Sequence, residues 1–356
     1  MTSRRRFLVL AGTVLAVCVT TGAQLVTPAP SLPARLSDGE FWRLVTESSE
    51  ADGFFRSDNL LSNEMGFQYV IPELARRTRP GRVYLGVGPE QNFTYIVATK
   101  PAMVFIVDIR RGNLDLHLMY KALFELSADR AEFVARLFSK ARPGSLTAKS
   151  TAAEIFGALA AVPASNRLFN DNLKAIDNLL VKKRGLALSP DDVAGIRHVY
   201  NAFYSYGQHI QYSSTSSFGG SFQPDYAELM TASDLKGVAR SYLAHEDHFK
   251  FIKDLEGRNM LVPVVGNFGG RKALRAVGRY LKERDATVSA FYLSNVEQYL
   301  RQEGIWDDFC ANVATLPLDE TSTFIRSVRR PGGAAPGFGL ASELGSMMTD
   351  VQSCRP

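Results

Sequence analysis

The sequence predicts an α/β fold: a doubly wound, mostly parallel sheet with a large helical insertion. Three observations carry this prediction. Two strand-length apolar runs, 82–87 and 102–108, are separated by a glycine turn and a helical stretch. Residues 143–255 then read almost entirely as helix. Strand signals return at 260–266 and 288–294, each followed by a helical pattern. Strand–helix alternation around continuous apolar strands is what a parallel sheet covered on both faces requires.

In chain order, residues 24–37 are rich in Pro, Ala and Ser and read as a linker. Helical spacing begins at Asp38, with Ser37 or Asp38 as N-cap. Asn59–Glu64 leads into a second helix over 67–74 that ends near Arg79-Pro80-Gly81. The first strand, about 82–87, runs into Gly86-Val-Gly-Pro89 and a helix near 90–98, with Pro89 suited to a first helical turn. Lys100-Pro101 stops that helix. The second strand is followed by helices near 113–126 and 129–140. The insertion at about 143–255 holds helices near 151–161, 167–183, 190–203 and 231–255. Its exception is Gln211–Gln223, a Ser-, Gly- and aromatic-rich loop of the length used for lids or for disordered surface segments. The third strand ends in a second glycine turn, Gly266–Gly270, before a helix over 271–284. The fourth runs into Ser294, Asn295 and a further helix. Late strands are expected at 313–317 and 321–328, and 331–356 reads as a Gly-rich tail, mobile in part. One domain thus spans 38–330.

The N-terminus carries its own signal. Ser3-Arg4-Arg5-Arg6-Phe7-Leu8 precedes an apolar run from Val9 to Val19, the pattern of a twin-arginine signal peptide over residues 1–23. Thr21-Gly22-Ala23 supplies small residues for cleavage, so Gln24 begins the mature chain. An uncleaved anchor is the alternative, and the only membrane contact expected. The expected location is the periplasm or cell envelope. The formal charge is +5, but removing residues 1–23 takes away three arginines and leaves 38 basic against 36 acidic. The remaining balance gives no electrostatic footprint for nucleic acid. Once Cys18 leaves with the signal, Cys310 and Cys354 remain, a pair able to form one disulfide in an oxidising compartment.

The candidate site is built from strand ends. Gly86 and Gly88 remove side chains where a strand meets a helix N-terminus, which suits close approach of a polar or anionic ligand. Asp108 closes the second strand twenty residues after Gly88, where a carboxylate holds a ribose. An ion pair with Arg110 or Arg111 is the alternative role for Asp108, and those arginines also suit a phosphate. The pattern lacks the third glycine, at Gln91. Glu90 and Asn92, Asn267, and Ser294, Asn295 and Glu297 stand at the ends of neighbouring strands and would face one crevice. Glu297 and Asn295 are the catalytic candidates, and Asn63 and Glu64 are placed over the pocket. His245 and His248 share a helical face, but no third ligand is identifiable, so no metal is assigned.

On these residues two resemblances rest. Residues 82–110 and 260–300 resemble a Rossmann-type S-adenosylmethionine-dependent methyltransferase core. Val83–Gly88 stands in its first motif, Phe105–Ile109 in its second and Phe291–Asn295 in its fourth-strand motif. The resemblance implies that Gly86 and Gly88 contact the cofactor, Asp108 its ribose, and Ser294, Asn295 and Glu297 the transferred methyl group. The acid before Gly86 and an Asn-Pro-Pro-Tyr-like run are absent. Residues 38–330 also resemble an uncharacterised exported bacterial family, through Tyr84–Phe93, Phe105–Arg111 and Phe291–Tyr299. The expected ligand is S-adenosylmethionine or a related adenosyl compound, with an unknown methyl acceptor. NAD(P), carried through export inside a folded oxidoreductase, is the alternative cofactor. A non-catalytic envelope binding protein is the third possibility.

Overall fold

A computed structural model describes residues 31–215, 223–329 and 340–353. The expected twin-arginine segment and cleavage site, Cys18, Cys354 and the middle of the Gln211–Gln223 loop lie outside the described residues.

The sheet contains β1 (Val83–Gly86), β2 (Met103–Asp108), β3 (Leu261–Val265), β4 (Val288–Ser294), β5 (Thr323–Arg329) and β6 (Leu340–Ser346). Its spatial order is β3-β2-β1-β4-β5-β6. The first five strands are parallel, and β6 closes the sheet antiparallel to β5. Strands β1, β2 and β3 are buried along their whole length, which explains their unbroken apolar runs. Pro263 sits in β3, an edge strand, where a missing N–H is tolerated. The segment following the first helix lies along that edge. Glu50 N donates to Val265 O at 2.7 Å, and Val265 N donates to Ser49 Oγ at 3.0 Å.

The first helix, α1 (Asp38–Ser48), starts from a capping box in which Ser37 and Glu40 serve each other's backbone N–H. A 3-10 turn at Phe67–Val70 leads into α2 (Ile71–Arg77), and α3 (Gln91–Thr99) follows β1. Lys100 ends α3 in the left-handed region, with φ of 46°, immediately before Pro101. Between β2 and β3 lie α4 (Arg111–Leu126), α5 (Arg130–Leu137), α6 (Ala152–Ala160), α7 (Asn166–Asp177), α8 (Pro190–Tyr206), α9 (Tyr226–Thr231) and α10 (Glu246–Gly257). After β3 come α11 (Ala273–Lys282), α12 (Val296–Gln302), α13 (Trp306–Val313) and α14 (Met347–Ser353). Helices α3, α4 and α10 pack together, while α1, α11 and α13 form a separate chain of contacts. The ring of Phe93 on α3 lies edge-on to Tyr120 and Phe124 of α4, with centroids 5.2 Å away from each. Phe124 in turn stacks on Phe133 of α5 and Phe249 of α10. This aromatic cluster holds the inserted helices to the helix that follows the glycine turn.

Four expectations about elements are corrected. Residues 231–255 are not one helix: α9 stops at Thr231 and α10 starts at Glu246. Between them Asp234 accepts from the N–H groups of Lys236 and Val238, and Gly237 has φ of 76°, a turn that competes successfully with helix. Residues 313–317 are not a strand, because α13 runs to Val313 and closes with turn hydrogen bonds from Thr315 and Leu316. The sheet does not end at 330, because β6, in the tail, pairs with all of β5. Its weak apolar pattern gave no strand signal, since the strand is only half-buried. Finally, the helix after the second glycine turn starts at Ala273 rather than 271.

Cys310, on α13, is disulfide-bonded, and the other two cysteines of the sequence, Cys18 and Cys354, lie outside the described residues. Among the described residues no helix is long and apolar enough to cross a membrane.

Candidate functional site

A cavity of about 530 Å³ opens beyond the carboxyl ends of β1, β2, β3 and β4. The strand order places β1 between β2 and β4, so successive connections diverge there and leave a crevice. Val87, Gly88, Asp108, Asn267 and Ser294 reach the cavity from the four strand ends. The irregular segment between α1 and the 3-10 turn folds across it and contributes Phe54, Arg56 and Glu64.

The glycine turn is clamped from behind. Asn92 is fully buried, and its Nδ2 donates to the carbonyls of Val87 at 2.9 Å, Gly88 at 3.3 Å and Pro89 at 2.7 Å. Its Oδ1 accepts from the Tyr84 hydroxyl at 3.0 Å. A Cβ on Gly86 would lie 1.9 Å from that Oδ1, so the glycine makes room for Asn92. Gly88 has φ of 74°, a conformation glycine adopts without strain. His117, on α4, approaches the Gly88 carbonyl with Nε2 at 2.9 Å. Burial pushes the His117 pKa down to about 4, so the ring is neutral at ordinary pH. With the carbonyls of the turn directed inward, the planar trans peptide between Val87 and Gly88 directs the Gly88 N–H the other way. That N–H has no backbone acceptor among the described residues.

A second network forms the floor. Glu64 Oε1 accepts from the Tyr292 hydroxyl at 2.8 Å and from Ser294 Oγ at 2.7 Å, while Oε2 accepts from Gln91 Nε2 at 2.9 Å. Gln91 Nε2 also donates to the Tyr95 hydroxyl at 3.0 Å, and Gln91 Oε1 accepts from Ser62. Burial and the Glu64 charge hold Tyr292 above its ordinary pKa. Ser294 has φ of 49°, an uncommon conformation for a non-glycine residue and one that collects at functional sites. Behind this network Glu90 is fully buried, with Oε1 accepting from Ser62 N at 3.3 Å and Oε2 without a hydrogen-bond partner among the described residues. Burial, partly offset by hydrogen bonds and reinforced by Glu64, raises its pKa to about 8.

The expected site residues separate into two groups. Gly88, Asp108, Arg110, Asn267, Ser294 and Asn295 line the cavity, as do Asn63 and Glu64. Gly86, Glu90 and Asn92 do not line it and instead shape its wall from behind. Glu297 is directed elsewhere: Oε2 pairs with Arg326 Nε at 2.8 Å, and Arg326 also pairs with Asp350 at 2.6 Å. Helix α12 thus presents Val296, Gln298 and Tyr299 to the cavity and turns Glu297 toward β5. Asp108 takes the ion-pair alternative with Arg110. Oδ1 accepts from Arg110 N at 2.9 Å and lies 3.3 Å from its Nε, while among the described residues Oδ2 has only Nη2 at 3.5 Å. Arg110 is further held by the Asp58 carbonyl, and Arg111 is bidentate to Asp192 at 2.7 and 3.0 Å. Both arginines are therefore engaged within the fold.

The second glycine turn is also occupied from within. Glu50 carboxylate oxygens accept from Asn267 N at 3.1 Å, Lys272 N at 2.8 Å and Ala273 N at 3.0 Å, so the α11 N-terminus already faces a negative charge. Asn267 Oδ1 is used by Gly269 N at 2.9 Å. Sequence reasoning missed Tyr292, Arg56, Phe55 and Tyr212 as cavity residues. Their one signal was position: Tyr292 two residues before Ser294, and Tyr212 at the start of the Ser/Gly loop. His245 and His248 meet edge-on at 4.9 Å, and among the described residues no group of three ligating side chains is placed to hold a metal.

Residues 60–348 match the model of a family described as a domain of unknown function (DUF7790). The chain belongs to that family. No curated protein matches it. The matched span includes every strand of the sheet, the Glu64 floor and the glycine turn, and it leaves out Arg56 and the rest of the covering segment before Leu60.

Proposed function

We propose that this chain binds a nucleoside-type small molecule in the crevice, on a doubly wound, Rossmann-like sheet, and that its core is methyltransferase-like. The observation that carries this reading is the position of the cavity, at the divergence of β1 and β4 with Gly88 and Asp108 in its wall. Its volume of about 530 Å³ suits a ligand of that size. The two separate helix groups, around α3 and around α1, support the doubly wound reading.

The residues present fit S-adenosylmethionine or a related adenosyl ligand. Asp108 Oδ2 has acceptor capacity left for a ribose hydroxyl, because Arg110 meets it only at 3.5 Å. The Gly88 N–H is available to a polar ligand edge. Such a ligand supplies a methyl group activated by positive sulfur. Ser294 and Asn295 lie at the β4 end, where an acceptor would be oriented beside it. A phosphorylated dinucleotide has less support, since Arg110 and Arg111 are spent on Asp108 and Asp192.

The test is calorimetric titration of purified protein with adenosylmethionine, adenosylhomocysteine, NAD and NADP, alongside mass analysis of ligands released on denaturation. Adenosyl ligands are expected to bind, and Asp108→Ala is expected to weaken them by about tenfold or more, the loss of one hydrogen bond to a charged group. Binding of a dinucleotide alone would move the chain to the oxidoreductase reading, and no binding to a non-catalytic envelope role. Unchanged adenosyl affinity in Asp108→Ala overturns the ribose assignment.

We also propose export through the twin-arginine route, on the strength of Arg4–Leu8 and the apolar run after it. A reporter fused to residues 1–30 is expected to leave the cytoplasm only in cells with that machinery. Export without it, or retention, overturns the proposal.

A further inference from the structure

We infer that the β4 end of the cavity is a second subsite, built for a planar aromatic ligand with a hydroxyl or amine at one end and an acidic group at the other. The inference rests on reading the crevice as a small-molecule site, but it concerns groups other than those assigned to the nucleoside.

Three features define the subsite. At the floor, Glu64 accepts two hydrogen bonds at Oε1 and one at Oε2. A carboxylate offers about four lone-pair sites, so one acceptor position on Oε2 is left for a ligand O–H or N–H. A carboxylate in this position, 4% exposed as a residue, selects a donor over an acceptor. Along the walls stand rings. Phe55, Tyr212, Tyr292 and Tyr299 all line the cavity; Phe55 braces Tyr299 edge-on at 5.3 Å, and Tyr292 is backed by the buried Tyr95 at 5.2 Å. A lining this rich in rings favours an aromatic ligand body. At the mouth, Arg56 donates to the Tyr299 hydroxyl at 3.3 Å and lies 6.0 Å over the Tyr299 ring. Arg110 is tied to Asp108, whereas Arg56 forms no ion pair among the described residues. An arginine held over an aromatic ring beside a cavity is a fork for carboxylate or phosphate.

Burial sets the direction of the ligand: Glu64 is buried and Arg56 exposed, so the donor faces inward to Glu64, the ring lies against the lining aromatics and the acid faces outward to Arg56. Neither Arg56 nor Tyr299 takes part in the glycine-turn clamp or the Asp108 pair, so this end can be altered without disturbing the other.

The probe is 4-hydroxybenzoate, titrated calorimetrically against the full chain, with benzoate and phenol as its two halves. Wild-type protein is expected to bind 4-hydroxybenzoate about tenfold or more tightly than either half. Arg56→Gln is expected to weaken 4-hydroxybenzoate by about tenfold while leaving phenol within about twofold. Glu64→Gln is expected to weaken phenol and leave benzoate within about twofold. Arg56 is exposed and its replacement leaves the fold intact, so that variant decides the matter even where Glu64→Gln unfolds. Absence of 4-hydroxybenzoate binding at about 5 mM, or equal binding by wild type and Arg56→Gln, overturns the subsite. Adenosylhomocysteine is titrated against the same proteins. Probe binding without adenosyl binding removes the proposed function and leaves the subsite, and the reverse result removes the subsite alone.

Discussion

Asn92→Ala is expected to destabilise the protein by about 3–5 kcal/mol, because it strands several buried polar groups at once. The fully buried Asn92 amide serves three consecutive carbonyls of the glycine turn and the Tyr84 hydroxyl. His117 still reaches the Gly88 carbonyl, but those of Val87 and Pro89 lose their side-chain donor. Asn92→Asp is expected to be no better, since a carboxylate cannot donate to a carbonyl. Chemical denaturation measures the stability, and adenosylhomocysteine titration measures the site. A loss below about 1 kcal/mol for Asn92→Ala would show that the clamp contributes little.

The second large effect is a pH dependence. The Glu90 carboxyl has a folded pKa of about 8 against an ordinary 4.5, chiefly through burial. The folded state therefore holds its proton more tightly than the unfolded state does. Its contribution to stability is complete below pH 4.5, falls as pH rises through the window, and is lost above about 8. Asp115 and Glu256, also raised to about 8 mainly by burial, act in the same direction. His117 acts oppositely and lower, since its pKa of about 4 makes stability fall as pH drops from 6.5 toward 4. Glu90→Gln removes one titrating group at nearly constant shape. Between about pH 5.5 and 9 the variant should gain about 3 kcal/mol of stability relative to wild type, measured by urea denaturation at both pH values. Parallel pH profiles for the two proteins would show that Glu90 is ionised in the fold at neutral pH.

These two residues also mark how far the sequence could be read. Strands β1 to β4 and the glycine turn were legible because buried parallel strands write unbroken apolar runs bounded by Gly and Pro. The cavity positions of Gly88, Asp108, Asn267, Ser294 and Asn295 followed from topology alone, since every parallel strand delivers its carboxyl end to one edge. What sequence did not show was direction. Glu90, Asn92 and Glu297 are polar residues near strand ends, yet all three spend their side chains inside the protein rather than in the cavity. Nothing in one-dimensional spacing distinguishes a buried amide serving the backbone from one awaiting a ligand. The covering segment was hidden for a related reason. Phe54, Phe55 and Arg56 lie in irregular chain, so no period announced which side chains meet the crevice. The split between α9 and α10 escaped because Asp234 and Gly237 act through local turn bonds that helical apolar spacing overlooks.

Glu50 has a consequence for maturation. The N-terminus of α11 is completed by a carboxylate more than two hundred residues earlier in the chain, and Leu36 is already bonded to Arg258 and Asn259 at the far side of α10. Residues 36–50 are thus a closing piece of the sheet edge. On the proposed export route, the processing cut must fall ahead of Leu36 to keep these bonds. On that route, cleavage after Ala23 leaves this closure intact, whereas a cut a dozen residues further on would remove Ala34, whose carbonyl accepts from Arg258, and end the chain beside Leu36.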